Sequence, residues 1–259
     1  MATDSVRHRT SKFLHHVSLE RALSKLGFCS RAQAGKIIAE GRVTVDGSPA
    51  TNPHRWVNLE EQKICVDDKK IVQERFRYLM FHKPVGVVTT HADERGRKTV
   101  FDLLGDEAKG LKAVGRLDKD SSGLLLLTND HRLADVLMSP DSHVPKTYRA
   151  SVEKPLITEE MQLLSSGIEI VVDGKIYRTQ SAVVTQTGKL EYQIVLTEGK
   201  NRQVRKMFEA VGNKVIALKR IAVGSVNLGS LQEGVWRKLM TEEVQKLRPS
   251  QKKDYDKSR

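Results

Sequence analysis

The sequence predicts an α+β chain of two modules, a small α/β one followed by a larger mixed one, on three observations. Between Val17 and Gly47 two short helix-period stretches lead into a strand-period stretch, a complete miniature module. A polar, charged segment over 58–76 has one apolar beat, Ile64-Cys65-Val66, and places the boundary near 70–76. Beyond it, strand and helix patterns intermix up to 247, in a chain of 259 residues with room for one large domain and one small one.

Residues 1–16 are polar and basic (Arg7, Arg9, Lys12), without periodicity, and are expected to form a disordered arm. Ser18 opens a helix in which Leu19, Ala22, Leu23 and Leu26 recur at i, i+3, i+4 and i+7, and Gly27 ends it. Ser30 opens a second, with Gln33 at capping-box spacing and Ala34, Ile37 and Ile38 on its apolar face. Arg42 to Gly47 reads as a strand with an Asp-Gly turn. In the larger module Tyr78 to Phe81 is a buried strand, stopped by the Pro/Gly turn His82-Lys83-Pro84-Val85-Gly86. Val87 to Thr90 resumes extended structure, 91–98 is a charged loop, and Val100 to Leu104 a helical turn.

The stretch from Val114 to Asp130 changes character twice. A polar loop with two Gly, Arg116, Asp118 and Asp120 gives way to four consecutive Leu and then to a polar stop. The Leu run is too short for a membrane and, bounded by turn residues, reads as a fully buried strand. The loop is therefore anchored to a rigid element, where a reacting side chain is best held. Arg116 and Asp118, two apart, project from one side of an extended segment. Next come a helix over 131–138, a strand over 146–152 and a helix capped by Thr158. Strands near 168–172 and 176–184 are joined by Asp173-Gly174, and Leu190, Tyr192, Ile194 and Leu196 alternate as another strand. Taken as a helix over 201–211, the following segment puts Val204, Met207, Phe208 and Val211 on one side and Arg202, Arg205 and Lys206 on the other, where the helix dipole favours anions. Strand-like runs fill 215–239, a short helix begins at Thr241, and 248–259 is a polar tail expected to be disordered.

The net charge of +12 points to a polyanionic partner, nucleic acid by default, although charge alone does not separate DNA, RNA and anionic lipid. No stretch reaches transmembrane length, and Met1 to His16 lacks the apolar centre of a signal peptide. Cys29 and Cys65, far apart and without a CxxC partner, argue against a disulfide framework or a zinc site and point to a reducing cytoplasm. The eight His show no helical HxxxH pair, so no metal is expected.

The run from Val114 to Asp130 resembles the catalytic loop of the RsuA/RluB/RluF-type rRNA pseudouridine synthase family. Lys83-Pro84-x-Gly86 is similar to that family's first motif, and Glu198-Gly199-x-x-Arg202-Gln203-Val204-Arg205-x-Met207 to its third. The small module, with Leu26-Gly27 and Ser30-Arg31 leading to Gly41-x-Val43-x-Val45-x-Gly47, resembles an S4 RNA-binding domain. Two departures stand out: Ser121 where Thr is common, which keeps a hydroxyl, and His131 where Gly is common. The resemblance implies an S4-like domain over 17–70 and a mainly antiparallel catalytic domain over 76–247. It implies Asp118 as catalytic carboxylate, Tyr148 against the target base, and Arg205 paired with Asp118. Arg31, Lys36 and Arg42 would meet structured RNA, with Arg202 and Lys206 as further RNA contacts and Arg116 filling the space left by the extruded base. Lys83 would support the loop. The implied activity is isomerisation of one uridine in ribosomal RNA, the large subunit preferred to the small, on free RNA or a pre-ribosomal particle, by a cytoplasmic monomer with no cofactor and no membrane association.

Such chemistry breaks C1′–N1 of a uridine, turns the base and rejoins it through C5. Glycosidases use two carboxylates, one to protonate a poor leaving group. The uracil anion delocalises its charge, so a single carboxylate suffices. Attack of Asp118 on C1′ and removal of the C2′ proton both remain open. Two other readings compete. A non-catalytic RNA-binding or ribosome-assembly factor would bind in a salt-sensitive way without product. An S4-linked methyltransferase would need a glycine-rich cofactor loop after a strand, and none is present.

Overall fold

The computed structural model describes residues 16–72 and 76–248, so residues 1–15 of the expected arm and most of the expected tail lie outside the described residues, while His16, expected in the arm, pairs with Asn58 in a strand. The chain divides into two compact units, Met1–Arg75 and Phe76–Arg259.

In the first unit, β1 (His16–Ser18) pairs with β4 (Trp56–Asn58), and α1 (Leu19–Lys25) packs on α2 (Arg31–Ala39). The Ser30 hydroxyl accepts from the Gln33 backbone N–H at 3.3 Å, the cap its position requires. Then β2 (Val43–Val45) lies between β3 (Ser48–Pro49) and β5 (Ile64–Val66), and β5 also pairs with β6 (Lys69–Lys70). Leu19, Leu23 and Ile38 from the helices meet Val43, Val45 and Ile64 from the strands in one fully enclosed core.

The second unit is built on a nine-stranded sheet. Its strands are β7 (Tyr78–Lys83), β8 (Lys112–Val114), β9 (Ser121–Thr128), β10 (Lys146–Val152), β13 (Val183–Gly188), β14 (Glu191–Leu196), β15 (Val215–Val223), β16 (Val226–Asn227) and β17 (Trp236–Lys238). The order is β13-β14-β10-β15-β9-β7-β17, with β16 on β15 and β8 on β9. Only the central β15–β9 pairing is parallel, so the sheet is mainly antiparallel. A separate hairpin joins β11 (Glu169–Val172) to β12 (Lys175–Arg178) through Asp173-Gly174, both at positive φ as a tight hairpin turn requires.

The Leu run is the spine. Leu124 and Leu126 face α4 (His131–Met138) through Leu133, Ala134 and Leu137. Leu125 and Leu127 face the other way, toward Val100 and Leu104 of α3 (Val100–Leu104). Four adjacent Leu are needed because both faces of β9 are covered, each side chain contributing roughly 1.5–3 kcal/mol of burial. The remaining helices are α5 (Thr158–Ser166), α6 (Gln203–Ala210) and α7 (Thr241–Leu247). Met207 and Phe208 of α6 pack on Tyr192 and Leu218.

Four local expectations change, the first being that the strand expected near 176–184 is two strands, β12 and β13, in separate sheets. The strand expected to stop at Phe81 continues through His82 and Lys83, because their polar ends find backbone carbonyls inside the fold. Residues 87–90 form no ladder beyond an isolated Val88–Thr99 bridge. Thr158 does not cap α5: Ile157 occupies that position, and its N–H donates to the Glu160 carboxylate at 3.0 Å.

Gly123 fixes the centre. It has φ +112°, and a Cβ there would stand 2.2 Å from the Arg220 carbonyl oxygen. No other residue lets β15 approach β9 this closely.

Candidate active site

The loop 115–120 is held from beneath by groups that the sequence places far away. The fully buried Lys83 ammonium (0 % exposed) donates to the Ser121 carbonyl at 2.7 Å and the Pro84 carbonyl at 2.9 Å. The Thr89 hydroxyl donates to the Leu117 carbonyl at 2.9 Å and accepts from the Leu117 N–H at 3.3 Å. The Gly86 N–H donates to the Lys119 carbonyl at 2.7 Å. Burial pushes the Lys83 ammonium down to about 8, against the opposing pull of Asp118 and Asp120.

Above this support a cavity of about 420 Å³ brings together Arg116, Asp118, Tyr148 and Arg202, a size within the range of small-ligand sites. A second cavity of about 350 Å³ shares Arg116, Leu117 and Asp118 with the first. The segment carrying Asp118 thus borders both cavities. Tyr148 on β10 stands opposite Arg220 of β15, and between Thr147 and Tyr148 the register slips by one residue. Because of that bulge, Leu218, Arg220 and then Val223, rather than one strict alternation, line the cavity.

The expected pairing of Arg205 with Asp118 is not made. Arg205, 7 % exposed, directs Nη1 to the Val215 carbonyl at 2.7 Å and Nη2 to the Asp120 carbonyl at 2.8 Å, and its Nε is 3.3 Å from the Asp120 carboxylate. Its two Nη groups are taken by backbone carbonyls of β15 and of the loop, its Nε makes no hydrogen bond among the described residues, and the carboxylate within ion-pair distance of it is that of Asp120. Arg202 is the cation nearest Asp118, at 3.9 Å, while forming a two-pronged contact with Asp120 at 3.0 and 2.9 Å. Burial tends to raise the Asp120 carboxyl, but the Arg202 hydrogen bond and the charges of Arg205 and Arg202 outweigh it and hold the group below its ordinary value.

The reason lies at the start of α6. The helix begins at Gln203 rather than 201, and Arg202 before it has φ +53°, in the left-handed region. Arg202 and Arg205 are therefore not two members of one solvated stripe: the first is exposed at the cavity and the second is buried behind it. Lys206 is half-buried and does not line the cavity. Glu198, also buried, fixes the preceding loop by accepting from Gln203 Nε2 at 2.6 Å, the Gln180 N–H at 2.8 Å and the Tyr177 hydroxyl. Arg31, Lys36 and Arg42 belong to the first unit. Arg31 and Lys36 are exposed, whereas Arg42 is tied to Asp67 at 2.6 and 2.9 Å and to Glu40 at 3.3 Å.

Sequence reasoning did not single out Asp120, Ser121, Lys146 or Arg220 as site residues. Asp120 carried a signal, an acidic side chain two places beyond Asp118, whereas Arg220 is brought in only by the pairing of β15 with β9 and β10.

Residues 77–210 match the family described as RNA pseudouridylate synthase, and residues 18–64 match the S4 domain. An uncharacterized RNA pseudouridine synthase of Bacillus subtilis strain 168 is 37% identical over 237 residues, covering 90% of this chain and 99% of that protein. The ribosomal large subunit pseudouridine synthase B of the same organism is 37% identical, with 89% of this chain and 95% of the relative covered. A crystal structure of a pseudouridylate synthase superposes with a TM-score of 0.65 at 30% identity, covering 90% of this chain and all of the other. The chain belongs to the RNA pseudouridine synthase family, as an RNA-modifying isomerase with an S4 domain ahead of its synthase domain.

Proposed function

We propose that this chain isomerises a uridine of large-subunit ribosomal RNA to pseudouridine, with Asp118 as the carboxylate that acts on the sugar. The observation that carries the reading is the convergence of Asp118, Tyr148, Arg116 and Arg202 on one cavity above a braced loop. The likeness to a ribosomal large subunit pseudouridine synthase supports the choice of RNA. Residues 17–70 act as the binding domain and 76–247 as the catalytic domain, working as a monomer in the cytoplasm on ribosomal RNA or a pre-ribosomal particle.

The target base leaves its stack at a cost of a few kcal/mol. Arg116, exposed beside Asp118, takes the vacated space, and Tyr148 stacks on the ring from the sheet below. Asp118 attacks C1′ or takes the C2′ proton as C1′–N1 breaks. The base turns and C5 bonds to C1′ as the Asp118–C1′ bond breaks or, on the other route, as the C2′ proton returns; C5 then loses its proton to solvent and N1 takes one up. Arg202 supplies positive charge at the mouth for the RNA backbone, and Arg205 positions the loop through Asp120.

Tritium release from ribosomal RNA carrying 5-³H-uridine tests the proposal, because release requires C5 to form its new bond and lose its hydrogen. Wild type should release tritium, and Asp118→Asn should release none while binding RNA within a few fold of wild type. Binding without release by the wild type, on naked RNA and on ribosomal particles, would favour the assembly-factor reading. Full turnover by Asp118→Asn would remove Asp118 from its role.

A further inference from the structure

The floor of the large cavity holds cationic and polar groups that the mechanism above leaves unused. Arg220 is 5 % exposed. Its Nε donates to the Leu124 carbonyl at 2.7 Å, which fixes the guanidinium plane, yet its buried Nη2 has no partner among the described residues. The hydroxyl of Ser121, buried on the same cavity wall, is likewise unmatched among them. Stranding a buried donor is costly, the more so for a charged group, so an unmatched guanidinium N–H on a residue that lines a cavity needs a reason. Lys146 lines the same cavity, and burial together with the charge of Arg220 pushes its ammonium down, which places two cations within electrostatic reach on one floor. Tyr148, opposite Arg220 on the neighbouring strand, flanks the same spot.

The reaction needs something at that spot. When C1′–N1 breaks, the electron pair goes to the base, and the uracil ring becomes an anion with its charge shared between N1 and the two carbonyl oxygens. A guanidinium that is itself buried and held in one orientation on the wall of the cavity suits charge that develops only in the transition state, since its orientation is set in advance and the protein around it screens it less than water would. We infer that Arg220, backed by Lys146, receives a carbonyl oxygen of the departing uracil and stabilises the base as an anion between its two glycosidic bonds. Arg220 neither gains nor loses a proton. Its hydrogen bond strengthens as N1 leaves C1′ and weakens once C5 has bonded there and lost its hydrogen. This assignment rests on the pseudouridine synthase reading and adds a leaving-group site to it.

The test compares wild type, Arg220→Met and Arg220→Lys on two RNAs that differ only at the target, uridine or 5-fluorouridine. Single-turnover loss of the target nucleoside is followed by nucleoside chromatography and mass spectrometry: uridine gives its isomer, whereas the fluoro base, with no C5 hydrogen to lose, is scored as the C5-linked product that keeps its fluorine and takes up water across C6 and N1. The fluoro base is the better anion and depends less on outside help. On uridine, Arg220→Met should slow conversion about 100-fold, the loss typical of one removed oxyanion donor, with RNA affinity within about threefold. On the fluoro RNA the loss should shrink to about tenfold or less, with Arg220→Lys intermediate on both. Equal losses on the two RNAs, a defect confined to affinity as a phosphate contact would give, or a wild-type rate from a folded Arg220→Met would each overturn the inference. If both Arg220 variants melt far below wild type, Lys146→Met decides by the same criterion: a smaller loss on the fluoro RNA supports the anion site, and an equal loss overturns it. Absence of conversion by the wild type would fault the underlying reading, whereas normal wild-type conversion with an indifferent floor faults only this one.

Discussion

Asp120→Asn would isolate the ionic joint between the loop 115–120 and α6. The substitution keeps the volume and the backbone carbonyl that Arg205 uses, but removes the charge facing two guanidinium groups. Asp120 is 46 % exposed, so solvent screens it, while Arg205 at 8 % side-chain exposure is left inside with carbonyl partners alone. A fully exposed pair is worth about 0.2–1 kcal/mol, and breaking a buried one costs about 3–5 kcal/mol. The joint lies between, at about 1–2 kcal/mol, which lowers Tm by about 2–8 °C for a unit of this size. The sign with pH follows from the Asp120 carboxyl being held below its ordinary value of 3.8. Its contribution is complete above that value and is lost as pH falls through the lower folded value. Paired urea unfolding of wild type and variant should show a constant gap from pH 5 to 7 that closes below pH 3.8. Arg202, released from its two-pronged contact and 3.9 Å from Asp118, should then pair with Asp118, and about 1 kcal/mol of such pairing slows turnover about fivefold. Equal stability at pH 7, or a gap that persists unchanged at low pH, would refute the assignment of Asp120 as the partner of Arg205.

Lys83→Met should change how stability depends on alkaline pH. Folded Lys83 releases its proton near 8 and the unfolded lysine near 10.5, so wild-type stability should rise relative to the variant between those values, by up to about 3 kcal/mol; parallel urea midpoints would contradict this. In the first unit, Arg31→Ala and Lys36→Ala should each reduce the slope of log affinity against log salt for ribosomal RNA by about 0.7–0.9. Arg42→Ala should change it less, because Asp67 and Glu40 already neutralise that side chain, and equal changes at all three positions would argue against the distinction.

Periodicity and turn residues made the frame legible. Four Leu between turn signals could only be a short buried strand, and the spacing in α1 and α2 marked their apolar faces directly. What stayed hidden depends on contacts between distant segments. A helical wheel begun at 201 groups Arg202 with Arg205, but Arg202 is left-handed and outside the helix, and Arg205 finds its partners at Asp120 and Val215. His82 and Lys83 read as turn residues beside Pro84, since nothing local announces carbonyls at Leu231 and Ser121 waiting to accept from them. Arg220 passes for one beat of a strand pattern until the bulge against β10 and the parallel contact with β9 set it on the cavity floor.

Gly123 carries one further implication, for anyone scanning this protein by mutation. Every side chain placed there would collide with the Arg220 backbone, so an activity screen would score position 123 as severely as Asp118. One position is intolerant because of a group it has, the other because of an atom it must lack. Activity loss alone cannot separate a reagent from a spacing requirement, whereas a stability readout separates them at once: Asp118 variants stay folded and Gly123 variants do not.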